Sequence, residues 1–185
     1  MRSRSQKRGD FLGWFGERYV AQWLEPLKAD GWKIIHDVPG KAGAKKFNID
    51  HVAVGPGGVF AVETKARRKG HARPGFEDHV VFFDGRELEW PWGRDDHGLE
   101  QAERNGVWLA EWIKTETGER VHVSPILALP GWKVKKQIGR DARLSKVVNP
   151  KCLPDDLGPL KGVLSDEQVA RIAAKLRALC RDVEE

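Results

Sequence analysis

Residues 47–65, FNIDHVAVGPGGVFAVETK, constrain the fold of this chain more than any other stretch. Two runs rich in β-branched and aromatic residues flank Gly55-Pro56-Gly57-Gly58, the pattern of a β-hairpin reversing at Pro and Gly. With Pro56 and Gly57 in the turn, Gly55 faces Gly58 and Asp50 falls opposite Glu63. Opposed side chains in such a pair have Cβ atoms about 4.5–5.5 Å apart. Two carboxylates that close repel each other, and an apolar sheet screens them poorly. Lys65, two residues past Glu63, projects from the same face about 7 Å along the strand. A divalent cation would turn the repulsion into a binding site, since Mg²⁺ takes one or two carboxylates together with waters and phosphates. The alternative is a one-sided sheet whose acids face solvent, with Lys65 as a counter-charge. A one-residue slip would put the acids on opposite faces.

Asp50 followed by Glu63-Thr64-Lys65 resembles the D…(D/E)-x-K signature of the restriction-endonuclease-like, or PD-(D/E)xK, nuclease superfamily. The wider set is Gly16-Glu17, Asn48-Ile49-Asp50-His51-Val52, Gly57-Gly58-Val59-Phe60, Val62-Glu63-Thr64-Lys65 and Gln101-Ala102. In that order and spacing, over residues 10–130, it is similar to the nuclease-related domain family (NERD). E-x-K alone is common, whereas the ordered set is specific. Ile49 stands where the wider superfamily carries proline.

The resemblance implies an α/β (α+β) chain with a restriction-endonuclease-like core, a mixed central sheet flanked by helices. It implies a metal-dependent nuclease that hydrolyses phosphodiester bonds, with DNA as the expected partner and Mg²⁺ or Mn²⁺ as cofactor. Asp50, Glu63 and the Thr64 main-chain carbonyl would be metal ligands, and Lys65 would orient the attacking water. Glu17 would sit near the metal, as a supporting group or a ligand of a second ion, and Gln101 beside the acids. Without the resemblance, Glu17 reads as a surface glutamate and Gln101 as an exposed helical glutamine.

The 185 residues carry a formal charge of +5, and the pI of about 9.3 suits a polyanionic partner. Basic residues cluster at 2–8, 65–73 and 133–143. The middle cluster continues from the acids, which nominates Arg67, Arg68, Lys69 and Arg73 as phosphate contacts, together with Lys46 of the basic loop that leads into the hairpin. No apolar run approaches the ~20 residues of a membrane span. The basic start lacks the apolar region of a secretory signal, so a cytoplasmic protein is expected. Cys152 and Cys180 form no C-x-x-C pair, which indicates neither a disulfide framework nor a zinc site. The six histidines show no metal spacing, and G-x-S-x-G and Walker A patterns are absent.

Along the chain, residues 1–9 read as a flexible basic arm and 10–185 as one nuclease-related domain, in which 139–185 is a C-terminal extension. Phe11, Trp14, Phe15, Tyr19, Trp23 and Leu27 make an apolar stripe on a first helix from Asp10 to Asp30. Trp32–Val38 reads as a strand closed by Pro39-Gly40, and 41–46 as a basic loop. Residues 66–75 read as a loop beside the site. Asp84-Gly85 turns a second hairpin, 79–83 with 86–90. Trp90 and Trp92 offer either base stacking or packing over the sheet. A helix from Asp95 or Asp96 to Thr117 buries Leu99, Ala102, Gly106, Leu109 and Ile113, with Gln101, Asn105, Trp108 and Trp112 on a neighbouring face. Residues 121–129 read as a buried strand, 132–138 and 146–148 as further strands. Ser165 and Gln168 cap a last amphipathic helix carrying Val169, Ile172, Leu176, Leu179 and Val183.

Two other function classes fit less well. A non-catalytic nucleic-acid-binding module has no need of opposed carboxylates. A protein-interaction domain built on the tryptophans and the last helix leaves the acids and the charge clusters unexplained. A homodimer is compatible with the sequence.

Overall fold

The central hairpin turns where the sequence places it. In the structure, a computed structural model, residues 4–136 and 146–182 are described, with backbone alone for 4–10. Strands β1 (Lys33–Ala42), β2 (Lys45–Gly55) and β3 (Gly58–Thr64) form an antiparallel meander. Gly55 pairs with Gly58 and His51 with Val62, the register expected from the turn. Beyond β3 lie β7 (Val123–Ala128) and β9 (Lys146–Val148), both parallel to their neighbours, so the main sheet runs β1-β2-β3-β7-β9. β3 therefore has an antiparallel neighbour on one side and a parallel one on the other. The apolar run Ile126-Leu127-Ala128 is fully buried, as a strand covered on both faces requires.

Helices cover both faces. On one, α2 (His97–Thr117) and α4 (Asp166–Arg181) bring Leu109, Ile113, Ile172 and Leu176 against Val52, Val54, Val59 and Ala61. On the other lie α1 (Arg4–Leu24), a 3₁₀ turn at Glu25–Asp30 and α3 (Leu153–Leu157). There Val20, Leu24, Leu27 and Leu153 meet Ala53, Val62 and Ile126. Each Val, Leu or Ile side chain among them contributes about 1.5–3 kcal/mol by leaving water. The Ser165–Gln168 capping box opens α4, with both reciprocal hydrogen bonds formed. This mixed layer architecture is the α+β core expected, and α4 packs on β1 and β2 as an integral layer.

Four differences from the sequence reading have physical causes. First, β1 does not stop at Pro39; it continues to Ala42, pairing Pro39 with Asn48 and Gly40 with Phe47. Proline is tolerated because β1 is an edge strand, and a Cβ on Gly40 would lie 2.4 Å from the Phe47 ring, which takes that space instead. Residues 41–46 are thus strand ends around a tight turn with Gly43 at φ 60°. Second, the Asp84-Gly85 hairpin forms, as β4 (Val80–Phe83) and β5 (Leu88–Trp90), but in a separate sheet. That sheet has the order β6-β5-β4-β8, where β6 is Gly93–Arg94 and β8 is Lys133–Lys136. Third, α1 starts at Arg4 rather than Asp10, so part of the expected arm is helical. Fourth, α1 buries Gly16, Val20 and Leu24 and leaves Phe11, Trp14 and Phe15 at 64%, 52% and 57% exposure. The readings for residues 1–3, for 137–145 including the rest of the third basic cluster, and for Val183 fall outside the described residues.

Candidate functional site

The hairpin's regular pairing ends at His51–Val62, one step before Asp50 and Glu63. There the Thr64 N–H, which a continuing ladder would aim at the strand opposite, donates to Asp50 Oδ2 at 2.7 Å. The strand alternation also breaks at this level. Ile35 and Val38, and likewise Ile49 and Val52, all join the α2/α4 face, although each pair is three residues apart. Asp37 lies between His36, paired to His51, and Val38, paired to Ile49, which puts it across from Asp50. Its φ is 51°, the left-handed region that Asp tolerates better than most residues. Asp37, Asp50 and Glu63 therefore form a row across three strands.

Two helices close on that row. Gly16 lets α1 approach the end of β3, since a Cβ there would sit 2.6 Å from the Ala66 Cβ and 3.4 Å from the Thr64 methyl. The contact delivers Glu17 to the acids. From the other face, α2 sends Asn105 Nδ2 to Glu63 Oε2 at 3.0 Å, a buried hydrogen bond. A Cβ at Gly98, in the first turn of α2, would come within 3.6 Å of the Lys65 side chain, so the lysine stem runs past the helix start.

The electrostatics are those of an acid cluster short of positive charge. Burial pushes the Asp50 carboxyl up to about 7, with Glu17 and Asp37 adding to the rise and the Thr64 N–H opposing it. Burial likewise pushes Glu63 up to about 8, reinforced by Asp50 and opposed by Lys65 and Asn105. Glu17 is raised too, first by burial and then by Asp37. Among the described residues no three His, Cys, Asp or Glu side chains stand together as an ion cage. The pair Asp50 and Glu63 fits an ion that takes two carboxylates and fills its shell with water and phosphate, as Mg²⁺ and Mn²⁺ do, and does not fit a four-ligand zinc site.

Beside the acids, between α1 and β1, lies a cavity of about 700 Å³ bordered by Glu17, Asp37, His36, His51, Trp14 and Arg18. Asp50 and Glu63 lie outside its lining. His36 and His51 join through their Nδ1 atoms at 2.8 Å. Burial, then the neighbouring His36, lowers His51 to about 3, so the ring stays neutral.

The sequence candidates divide. Asp50, Glu63, Glu17 and Lys65 converge through the contacts and fields just described, and Thr64 touches the group through its N–H. Gln101 is half-buried one turn before Asn105, and the hydrogen bond to Glu63 belongs to Asn105. Of the basic residues, Arg67 is tied to Asp95 and lies over the Trp90 ring at 5.1 Å. Arg73 bonds Glu89 and the Pro91 carbonyl and covers Phe76. Lys46, Arg68 and Lys69 are exposed, with no ion-pair partner among the described residues. Trp90 and Trp92 stack with each other and meet Trp132 edge-on, so packing claims them.

The sequence reading missed Asp37 and Asn105. Asp37 was legible only through the β1–β2 turn, whose register sets 37 against 50. Asn105 stands four residues after Gln101, on the same helical face.

A family model described as nuclease-related domain, NERD, matches residues 12–130, more than half of the chain. The chain belongs to the nuclease-related domain family. The match to this NERD domain takes in α1 from residue 12 onward, the meander, the second hairpin, α2 and β7, and hence every acidic residue of the row. No curated protein and no solved structure gives a significant match. No helix among the described residues is long and apolar enough to cross a membrane.

Proposed function

We propose that this NERD domain is a divalent-metal-dependent nuclease hydrolysing phosphodiester bonds, with DNA as its substrate and the cytoplasm as its place of action. The observation that carries the reading is the pair of half-buried Asp50 and buried Glu63, both raised first by burial and then by neighbouring acids, with Lys65 alongside. A protein with no cation to bind would gain by replacing such a pair with apolar residues.

Asp50 and Glu63, with the Thr64 carbonyl, would hold Mg²⁺ or Mn²⁺. When bound, the ion supplies polarisation of the scissile phosphate and a water of lowered pKa. Asn105 fixes one oxygen of Glu63 and so sets the direction of the other. The Thr64 N–H does the same for Asp50. Lys65 orients the attacking water and stabilises charge developing on the phosphate. Glu17 supports the cluster or serves a second ion, and Gln101 positions substrate from the start of α2. Of the nominated cations, Arg68, Lys69 and Lys46, unpaired among the described residues, would meet the phosphate backbone.

The test is cleavage of plasmid and single-stranded DNA with Mg²⁺ or Mn²⁺, beside EDTA, Glu63→Ala and Lys65→Ala. Metal-dependent cutting that both substitutions abolish is the expected result. Normal cutting by Lys65→Ala would sink this mechanism. The second reading, a binding module without catalysis, is favoured if DNA binding is salt-sensitive but nothing is cut.

A further inference from the structure

The outer face of α1 carries a pattern that the proposed chemistry does not use. Positions 4, 7, 8, 11, 14, 15 and 18 follow at spacings of three and four, so they share one stripe of the helix. Their residues are Arg4, Lys7, Arg8, Phe11, Trp14, Phe15 and Arg18: cations, three aromatic rings, then a cation, with no acid among them. The opposite face of the helix is the buried one, through Gly16, Val20 and Leu24. The rings are more than half exposed. They lie side by side, Phe11 6.1 Å from Trp14 and 6.5 Å from Phe15, and Arg18 sits over Trp14 at 5.1 Å. A contiguous exposed aromatic patch marks an interaction surface.

We propose that this stripe is a platform for single-stranded nucleic acid, with bases on Phe11, Trp14 and Phe15 and backbone phosphates along the flanking cations. The proposal rests on the nuclease reading above and narrows its substrate to a strand with unpaired bases near the cut. Stacking on rings accepts any base and needs its face open, whereas a duplex hides those faces. Trp14 and Arg18 also border the cavity that Glu17 and Asp37 line, so a strand on the stripe leads toward the acids. A second copy of the chain is a poorer occupant. A symmetric antiparallel contact through this stripe would set ring on ring at its centre but bring the cations of its two ends together, with no acid in the stripe to meet them.

The experiment compares the full chain with Phe11→Ala/Trp14→Ala/Phe15→Ala, using a labelled short oligo(dT) and a matched duplex in EDTA, so that cutting does not intervene. Oligo(dT) affinity should fall by about tenfold or more in the triple variant. Duplex affinity and the thermal midpoint should hold, because the rings are exposed, and Trp14→Phe should retain most of the binding. Unchanged oligo(dT) affinity in the triple variant overturns the platform. So does a triple variant that keeps it while losing self-association or binding to anionic vesicles. Lys65→Ala separates the two readings: with the stripe intact it should bind oligo(dT) as the wild type does and fail to cut. Oligo(dT) binding lost with the rings, beside normal cutting by Lys65→Ala, would sink the catalytic mechanism and leave the platform standing.

Discussion

Asn105 Nδ2 donates to Glu63 Oε2 at 3.0 Å, joining α2 to the last member of the acidic row. The amide steadies a carboxylate that burial has already pushed up to about 8. Asn105→Ala removes a donor that favours the charged form, so Glu63 should become harder to ionise and to offer to a cation. Loss of such a supporting partner typically costs about 10–100-fold in metal affinity or activity. Titration with Mn²⁺, followed by calorimetry, should show a weakening of that order. Asn105→Asp should weaken binding of the first ion less than it destabilises the metal-free protein, since it adds a fourth acid to the row. Wild-type Mn²⁺ affinity in Asn105→Ala would remove the positioning role.

Gly16 and Ala66 set how close α1 comes to β3. Alanine at 16 would bring two Cβ atoms within 2.6 Å, and neither can rotate away. Helix propensity favours alanine over glycine by about 1 kcal/mol, while overpacking costs about 1–3 kcal/mol. Because the overlap falls on atoms fixed to two backbones, a net loss is expected, with a thermal midpoint lower by a few degrees. Ala66→Gly in the same chain should restore much of it. A Gly16→Ala protein as stable as wild type, with unchanged metal binding, would mean that the helix position is soft.

How far these relations were legible depended on their range. The Asp50–Glu63 opposition follows from one turn and a constant sum, so the sequence carries it. The buried stripe of α2 and the Ser165 cap are likewise local and periodic. Asp37 was hidden because Pro39-Gly40 reads as a strand end, and only the edge position of β1 and the Phe47 ring over Gly40 let the strand continue. On α1 the period was right and the face wrong. Aromatic bulk suggested burial, whereas close packing against Ala66 selected the face with the smallest residue. Arg67 and Arg73 read as phosphate contacts because sequence shows their charge and not the distant Asp95 and Glu89 that neutralise it.

That partition gives a third expectation. Arg67→Ala loses the Asp95 pair and the contact with Trp90, and should lower stability by roughly 1–3 kcal/mol with little change in the salt dependence of DNA binding. Arg68→Ala/Lys69→Ala should do the reverse. The midpoint stays within a degree or so, and the slope of log affinity against log salt falls by about 1–2. Equal slopes for both variants would return Arg67 to the phosphate contacts.

The acids also fix how stability responds to pH. The carboxyls of Asp50 and Glu63, at about 7 and about 8, stand above the ~4 of an unfolded chain. The folded state therefore holds protons that the unfolded state has released. Their contribution is fully present below about pH 4 and is lost as pH rises through the folded values. His51 acts in the opposite sense, because a ring lowered to about 3 costs stability whenever the unfolded histidine is charged. From about pH 7.5 upward that ring, and His36, which burial also lowers, are essentially neutral in both states, and the carboxylates set the sign. In EDTA the thermal midpoint should fall between about pH 7.5 and 8.5, and Asp50→Asn/Glu63→Gln should flatten the profile. Mg²⁺ competes with those protons, so it should raise the midpoint more at pH 8.5 than at 6.5. A flat wild-type profile in EDTA, or a Mg²⁺ effect larger at the lower pH, would show that these carboxylates are not the groups the ion meets.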